Sequence, residues 1–222
     1  MKKICFNVII FFRDSFLGKY FLNFFIYLNN VSYRWIKVFV NKNGSHPKHQ
    51  ILNYDIFFKE NLAESDVVFD IGCGNGFLAF NMAQKVKEVV AIDISKKNIE
   101  DARKVNNKDN IVYILGDAIN YEPNRKFDAI ALSNVLEHIE DRVKFLKNIR
   151  KFSDKIILRV PMLDRDWLTV YKKNNGYEYR LDKTHFIEYT LNSLRQELAD
   201  SGWKINKYNI KFGEFWGVIS KI

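Results

Sequence analysis

The fold of this chain can be predicted from one segment, Val67-Val-Phe-Asp-Ile-Gly-Cys-Gly-Asn-Gly-Phe77. A short apolar run ends there in three closely spaced glycines, and a helical pattern follows them. This order is typical of a strand, a tight turn and a helix, because glycine lets the backbone turn sharply and approach a ligand closely. The turn falls at the carboxyl end of the strand, where open α/β sheets bind their ligands.

Strands and helices alternate downstream of this stretch. Four further apolar runs occupy residues 88–92, 111–115, 127–132 and 155–160. Continuous apolar strands separated by helices predict a parallel sheet that is covered on both faces. Pro161 is expected to stop the fifth strand. The remaining pattern is a long irregular segment over 159–190, a helix over 190–201 and β-rich runs over 204–211 and 214–219.

We therefore predict an α/β fold for residues 61–222. Its centre is a Rossmann-like, doubly wound sheet of seven strands, mostly parallel with an antiparallel last strand, and a helical segment precedes it at the N-terminus.

The first 60 residues are basic, aromatic and helical in pattern. Residues 1–50 hold eight Lys/Arg against a single acid, Asp14, and so carry most of the net charge of +9. An apolar stripe at spacings of three and four runs through Leu17, Tyr20, Phe21, Phe24 and Leu28. We predict that residues 1–60 form a separate segment that serves as a lid, as a homodimer surface or, through residues 1–40, as a peripheral membrane contact.

The expected location is the cytoplasm, with the inner face of the membrane as the alternative. The apolar run 4–12 follows two lysines as in a signal peptide, but Arg13 and Asp14 close it and no small-residue cleavage site follows. Its length is about half of the ~20 residues that span a bilayer. The chain has only two cysteines, which fits a reducing compartment. No nucleic-acid partner is expected, because the sheet domain itself is not strongly basic.

Three strand ends carry residues suited to a nucleoside ligand. The glycines are spaced G-x-G-x-G, and Phe77 stands where a dinucleotide fingerprint has its third glycine, so a pyrophosphate fits this loop less well than a compact zwitterion. Asp93 ends the second strand and can accept ribose hydroxyls. Asp117, in Gly116-Asp-Ala118, can accept a proton from an adenine amino group. A dinucleotide-dependent oxidoreductase and a non-catalytic protein that retains the pocket are the alternatives.

Residues 67–160 resemble class I S-adenosylmethionine-dependent methyltransferases. The matching cofactor motifs are FDIGCGNG (69–76), AIDIS (91–95), LGDA (115–118) and FDAIALS (127–133). The resemblance implies S-adenosylmethionine as cofactor. Its contacts would be Gly72, Gly74 and Gly76 at the methionine part, Asp70 under the amine, Ser133 near the methionine backbone, Asp93 and Ile94 at the ribose side, and Asp117 and Ala118 at the adenine.

The run Ser133-Asn-Val-Leu-Glu-His138 resembles ubiquinone-pathway O-methyltransferases and small-RNA 2′-O-methyltransferases. Those families carry E-x-x-E-H there and use it to hold a divalent metal. Glu137 and His138 match the last two positions, Asn134 replaces the first glutamate, and His185 could supply a later histidine. The resemblance therefore implies either a site for Mg²⁺ or Mn²⁺ or a pair of residues that begin a helix and line the pocket without metal.

The acceptor side is predicted from the long segment between strand five and the next helix. Its candidate contacts are Asp166, Tyr171, Tyr179, Arg180, Asp182 and His185. His138 or His185 is the candidate base that takes a hydroxyl proton.

The stretches HPKHQILNYDIFF, RVPMLDRDW and RLDKTHFIEYT resemble bacterial methyltransferases of cell-surface glycan pathways. For the first stretch, this resemblance implies that His49 and Tyr54 close over the cofactor. The expected reaction is methyl transfer to an oxygen of a small molecule or glycan precursor. A lipid-linked or quinol acceptor at the membrane surface is the alternative.

Overall fold

The structure is a computed structural model that describes residues 10, 13, 15–40 and 51–222. Residues 41–50, which include His49, and the run 4–12 apart from Ile10 lie outside the described residues. The contacts divide the chain into two units, Met1–Leu52 and Asn53–Ile222. The first unit contains helix α1 (Phe16–Val40). None of the described helices combines the length and the apolar character needed to cross a membrane.

The second unit alternates strands and helices as the sequence predicts. Its elements are α2 (Tyr54–Glu60), β1 (Val67–Ile71), α3 (Phe77–Met82), β2 (Glu88–Asp93), α4 (Lys96–Val105), β3 (Ile111–Leu115), β4 (Ala129–Ser133), α5 (Arg142–Ile149), β5 (Lys155–Pro161), α6 (Trp167–Asn174), α7 (Leu191–Asp200), β6 (Trp203–Lys211) and β7 (Glu214–Lys221).

The strands form one seven-stranded sheet in the order β3-β2-β1-β4-β5-β7-β6. The pairs among β1 to β5 are parallel, and β7 runs antiparallel to both β5 and β6. The predicted doubly wound sheet with one antiparallel last strand is confirmed. The strand order reverses between β1 and β4, and this switch point is where such sheets bind ligands.

The central strands are apolar because helices cover both of their faces. Strands β1, β4 and β5 are buried along almost their whole length, whereas edge strand β3 alternates between buried and exposed residues. In the core, the ring of Phe69 stacks on that of Phe127 with centroids 4.7 Å apart. Helix α4 begins at Ser95, whose side chain accepts a hydrogen bond from the N–H of Asn98.

Two expectations about the region after β4 were wrong. Strand β5 does not stop before Pro161 but includes it, paired with Glu214. A proline fits the last position of the strand because the ladder continues through its neighbour, the N–H of Met162 donating to the carbonyl of Gly213. The segment over 159–190 is also not irregular throughout, because it contains α6, which Asp166 caps by accepting from the N–H of Thr169.

Candidate active site

The glycine turn after β1 has a backbone that only glycine adopts readily. Gly72 and Gly74 have φ values of +71° and +56°, and Gly76 is the N-cap residue of α3. A Cβ added at Gly72 would lie 2.6 Å from Cγ2 of Val135, whereas one added at Gly74 would meet nothing within 4 Å. At Gly72, both the contact with Val135 and the positive φ therefore exclude a larger residue. Gly74 faces open space that a ligand can occupy.

Asp70 lies directly before this turn, and its side chain is almost completely buried. Its Oδ2 atom has no hydrogen-bond partner among the residues that the structure describes. Burial, and secondly the charge of Asp93, raise the pKa of Asp70 to about 8. A buried carboxyl group with an unpaired oxygen suits a cationic ligand group, and the ammonium of a methionine moiety fits this requirement.

A cavity of about 270 Å³ opens between the ends of β1, β2, β3 and β4. The described residues that line it are Ile71, Gly72, Ile92, Asp93, Ile94, Gly116, Asp117, Ala118, Ile119, Val135, His138 and Ile139. The predicted ribose and adenine residues therefore share one cavity with the candidate base His138. Of the apolar lining residues, Ile94 and Ala118 were predicted as cofactor contacts. The others were not predicted, although most of them lie beside a predicted polar residue in the chain, and together they provide the apolar walls of a nucleoside pocket.

Asp93 is held in place by the loops on either side of it. Its Oδ2 accepts from the N–H of Gly74 at 2.9 Å, and its Oδ1 accepts from the N–H of Ser95 at 2.8 Å and from Nδ2 of Asn98 at 3.1 Å. A carboxylate accepts roughly four hydrogen bonds, so capacity remains for a ribose hydroxyl.

Asp117 is similarly anchored. Its Oδ1 accepts from the N–H of Ile119 at 2.9 Å and its Oδ2 accepts from Nδ2 of Asn120 at 2.8 Å. These contacts order the loop after β3, which lines the cavity.

The structure brings Glu137, His138 and His185 together. Glu137 and His138 lie on a single 3₁₀ turn, Leu136–His138, shortly after β4. The two imidazole rings meet edge to face with centroids 4.6 Å apart. One potential ligand atom from each of the three side chains lies within 4.8 Å of the others. Glu137 and His185 are buried, whereas His138 is only partly buried and lines the cavity.

Carboxylates fix the proton on one nitrogen of each imidazole. His138 Nδ1 lies 2.9 Å from Oγ1 of Thr184, which donates its own proton to Asp182 at 2.8 Å. His185 Nδ1 lies 3.2 Å from Oε1 of Glu188. Because an ionised carboxylate only accepts, both Nδ1 atoms carry a proton, and Nε2 of the neutral His138 ring keeps its lone pair.

The charges around these rings keep that arrangement at neutral pH. The N–H of Thr184 is the main cause that lowers the pKa of Asp182, so this carboxylate stays ionised. Glu188 is buried, but hydrogen bonds from His185, Leu181 and Arg165 outweigh burial and lower its pKa. Burial, and secondly the neighbouring His185, lower the pKa of His138, so the imidazole is neutral at pH 7.

The three side chains also offer the kinds of ligand atom that divalent metal ions take, because one carboxylate and two imidazoles with outer hydrogen bonds on Nδ1 form a common ligand set. Asn134 occupies the position of the missing glutamate. Its φ is +56°, and its Oδ1 is buried without a hydrogen-bond partner among the described residues.

A buried polar cluster beside the turn was not predicted. The guanidinium of Arg159 pairs with both carboxylate oxygens of Glu214 at 2.6 and 3.0 Å, and donates to Oγ of Ser133 at 3.2 Å. It also lies 4.0 Å from the ring centroid of Tyr54. Ser133, predicted to lie near the methionine backbone, therefore has a protein partner here. The sequence does contain one indication of this cluster, because Arg159 is a charged residue within the otherwise apolar run of β5.

The other predicted acceptor contacts have partners within the same segment. Asp166 caps α6, and Arg180 pairs with Glu178 at 2.8 Å. The carbonyl of Tyr179 accepts from Arg165, and the ring of Tyr171 stacks on Tyr177. Of the six predicted contacts, His185 is one of the two stacked imidazoles, and Asp182 is linked to the other, His138, through Thr184.

Comparison with known proteins gives consistent matches. The family described as "Methyltransferase domain" matches residues 69–153. A ubiquinone biosynthesis O-methyltransferase of Rickettsia bellii is 30% identical over 175 residues, which cover 67% of this chain and 72% of that protein. The protein of the same name from Pelagibacter ubique is 28% identical over 174 residues, covering 62% and 68%.

Among solved structures, magnesium protoporphyrin IX methyltransferase from Synechocystis, with bound SAH (S-adenosylhomocysteine), has the same fold. The TM-score is 0.64 at 20% sequence identity, covering 88% of this chain and 97% of that chain.

Fold and site together define an α/β enzyme with a nucleoside pocket at the carboxyl edge of its sheet. The chain belongs to the class I S-adenosylmethionine-dependent methyltransferases. Its cofactor is S-adenosylmethionine, and part of its sequence is similar to ubiquinone biosynthesis O-methyltransferases.

Proposed function

We propose that this enzyme methylates a hydroxyl oxygen of a small molecule or glycan precursor, with His138 as the base. The observation that carries the proposal is the orientation of His138. Its Nδ1–H is directed to Thr184, its Nε2 keeps a lone pair, and its ring lines the cofactor cavity. His185 is buried against it and is assigned a supporting role.

The chemistry needs little from the protein beyond position and one proton acceptor. When bound, S-adenosylmethionine supplies a methyl group that is attached to a cationic sulfur. On transfer of this methyl group the sulfur becomes a neutral thioether. The chain holds the acceptor oxygen in line with that methyl group and moves the hydroxyl proton to Nε2 of His138 as the new carbon–oxygen bond forms. The resulting imidazolium is stabilised through Thr184 by the Asp182 carboxylate.

Two observations support an oxygen acceptor with a ring or apolar face. The relatives described above are named O-methyltransferases. Phe186 follows His185 and donates its N–H to the carbonyl of Glu137 at 2.8 Å. This residue is 57% exposed, so it offers an apolar surface. A phenolic or quinol acceptor fits such a surface, and so does the face of a sugar ring.

The test is a screen with isotope-labelled methyl donor and three acceptor classes: phenols and quinol precursors, sugar nucleotides, and lipid-linked glycans. We expect the label on an oxygen of one class. His138→Gln should lower kcat about 10²- to 10⁴-fold, the range for loss of a general base. Glu140→Gln, an exposed neighbour, is the matched control. Label on nitrogen or carbon, or an unchanged kcat in the His138 variant, contradicts the proposal.

A metal-assisted reaction is the second candidate, and the convergence of Glu137, His138 and His185 favours it. In this form Nε2 of His138 binds the ion and is no longer available as a base, so the two candidates exclude each other. The ion would lower the pKa of the acceptor hydroxyl and orient it.

Chelation separates these two candidates. If His138 is the base, activity after treatment with EDTA stays at the untreated value. If the three residues hold an ion, EDTA abolishes activity, Mg²⁺ or Mn²⁺ restores it, and His185→Gln raises the metal concentration needed for half-maximal activity.

A further inference from the structure

Helix α1 exposes an unusually apolar surface. Its 25 residues contain no Asp or Glu. Large side chains that would normally be buried are more than two-fifths exposed, including Leu28, Trp35, Ile36, Val38 and Phe39. A surface of this kind in a soluble protein indicates a binding site.

The charges and the largest apolar groups lie on opposite faces of α1. Lys19 and Lys37 are five helical turns apart and Arg34 lies one turn before Lys37, so the three cations share one face. Leu28, Trp35 and Phe39 lie on the opposite face, and the rings of Trp35 and Phe39 are 6.3 Å apart. This distribution is typical of a helix that lies in the plane of a bilayer interface.

The apolar arc is too wide for a single protein contact. A helix that packs on a protein core buries a stripe of about 100°. On α1 the exposed apolar residues extend from Tyr27 and Val38 on one flank to Ile36 on the other, with exposed fractions of 66%, 63% and 57%. A fluid interface can cover all of these side chains at once, whereas one partner surface leaves aromatic rings in water.

We propose that α1 binds the surface of a bilayer that contains anionic lipids. Leu28, Trp35 and Phe39 insert between the headgroups and the acyl chains, and the face with Lys19, Arg34 and Lys37 contacts the lipid phosphates. The helix lies on the membrane and does not cross it, consistent with its hydropathy. An enzyme bound in this way has access to acceptors dissolved in the membrane.

The test is flotation of the full chain with vesicles of phosphatidylcholine, with and without phosphatidylglycerol, at low salt. We expect flotation with the anionic vesicles and loss of it at high salt. Trp35→Ser/Phe39→Ser should lower the partition coefficient at least tenfold. Trp167→Ser/Phe212→Ser removes one tryptophan and one phenylalanine that are 77% and 69% exposed in the second unit, and should float like the wild type. Binding of S-adenosylhomocysteine verifies that each variant is folded.

Three results would overturn the inference. The first is failure of the wild type to float with anionic vesicles at low salt. The second is equal flotation of the Trp35/Phe39 variant and the wild type. The third is a dimer in sedimentation that the same variant converts to a monomer, without vesicle binding, because the apolar face then belongs to a second copy. All three readouts are independent of the methyl acceptor.

Discussion

We predict that Asp70 changes its protonation state when the cofactor binds. Its pKa of about 8 means that the carboxyl group is largely protonated at pH 7 before cofactor binds. A cationic ammonium beside it favours the carboxylate, so binding of the cofactor is coupled to loss of a proton.

We predict that Asp70→Asn weakens cofactor binding and removes this proton release. Calorimetric titration with S-adenosylhomocysteine at pH 7, in buffers of different ionisation enthalpy, measures the number of protons released. The wild type should release up to one proton more than the variant. Equal proton release by the two proteins would show that Asp70 does not ionise on binding.

The same residue gives a pH dependence of stability. The pKa of Asp70 in the folded state lies above its usual value of 3.8, so the folded state holds the proton more tightly than the unfolded state. Its contribution to stability is therefore present at low pH and is lost as the pH rises through about 8. Without cofactor, Asp70→Asn should lose less stability than the wild type between pH 6 and pH 9.

The pKa of His138 sets the expected pH dependence of the reaction. Burial and His185 lower its pKa below 6.5, and the neutral form is the active base. The value of kcat/KM should rise with pH, with an apparent pKa below 6.5, and stay level above it. His138→Gln should lack this rise. An apparent pKa above 7 that survives in the variant would assign the proton acceptor to another group.

At the scale of elements, the turn from β1 to α3 depends on two glycines for different reasons. Gly72→Ala meets Val135 at 2.6 Å in addition to an unfavourable φ, whereas Gly74→Ala has only the unfavourable φ. Gly74→Ala should cost about 1–2 kcal/mol of folding free energy without cofactor, and Gly72→Ala should cost distinctly more. Urea denaturation measures both, and Val135→Ala should restore part of the loss at Gly72 but none at Gly74.

A buried ion pair links β5 and β7 beside the glycine turn after β1. Arg159 and Glu214 are 4% and 2% exposed, so neither side chain can be hydrated if its partner is removed. Glu214→Ala should destabilise the fold by about 3–5 kcal/mol, because it leaves a buried guanidinium without its carboxylate. Arg159→Met/Glu214→Leu should be more stable than the single variant in the same denaturation assay. The reverse order would mean that the charge of Arg159 is satisfied elsewhere.

At the scale of the whole molecule, the sequence predicts the sheet well because its strands are continuous apolar runs. Strand β3 was predicted at its observed bounds, and the cofactor motifs fall at the ends of β1, β2 and β3. Helix α6 was missed because its eight residues mix aromatic, β-branched and basic side chains without a clear apolar stripe. Its start depends on the side chain of Asp166, which sequence periodicity does not reveal.

Contacts between distant residues could not be predicted from spacing. Arg159 and Glu214 are 55 positions apart, and His138 and Thr184 are 46 positions apart. The proximity of His138 and His185 was inferred from resemblance alone, and the hydrogen bonds that orient the two rings became visible only in the structure. The acceptor and the role of the first 60 residues stay predictions.

We expect the cavity that is lined by Asp93 and Asp117 to bind the methyl donor. The most direct measurement is a calorimetric titration of ligand-stripped protein with S-adenosylhomocysteine, comparing the wild type with Asp93→Ala. We expect one site per chain and an affinity at least tenfold weaker in the variant, about 1.4 kcal/mol or more. Absence of binding by folded wild-type protein, or equal affinity of the two proteins, would contradict it.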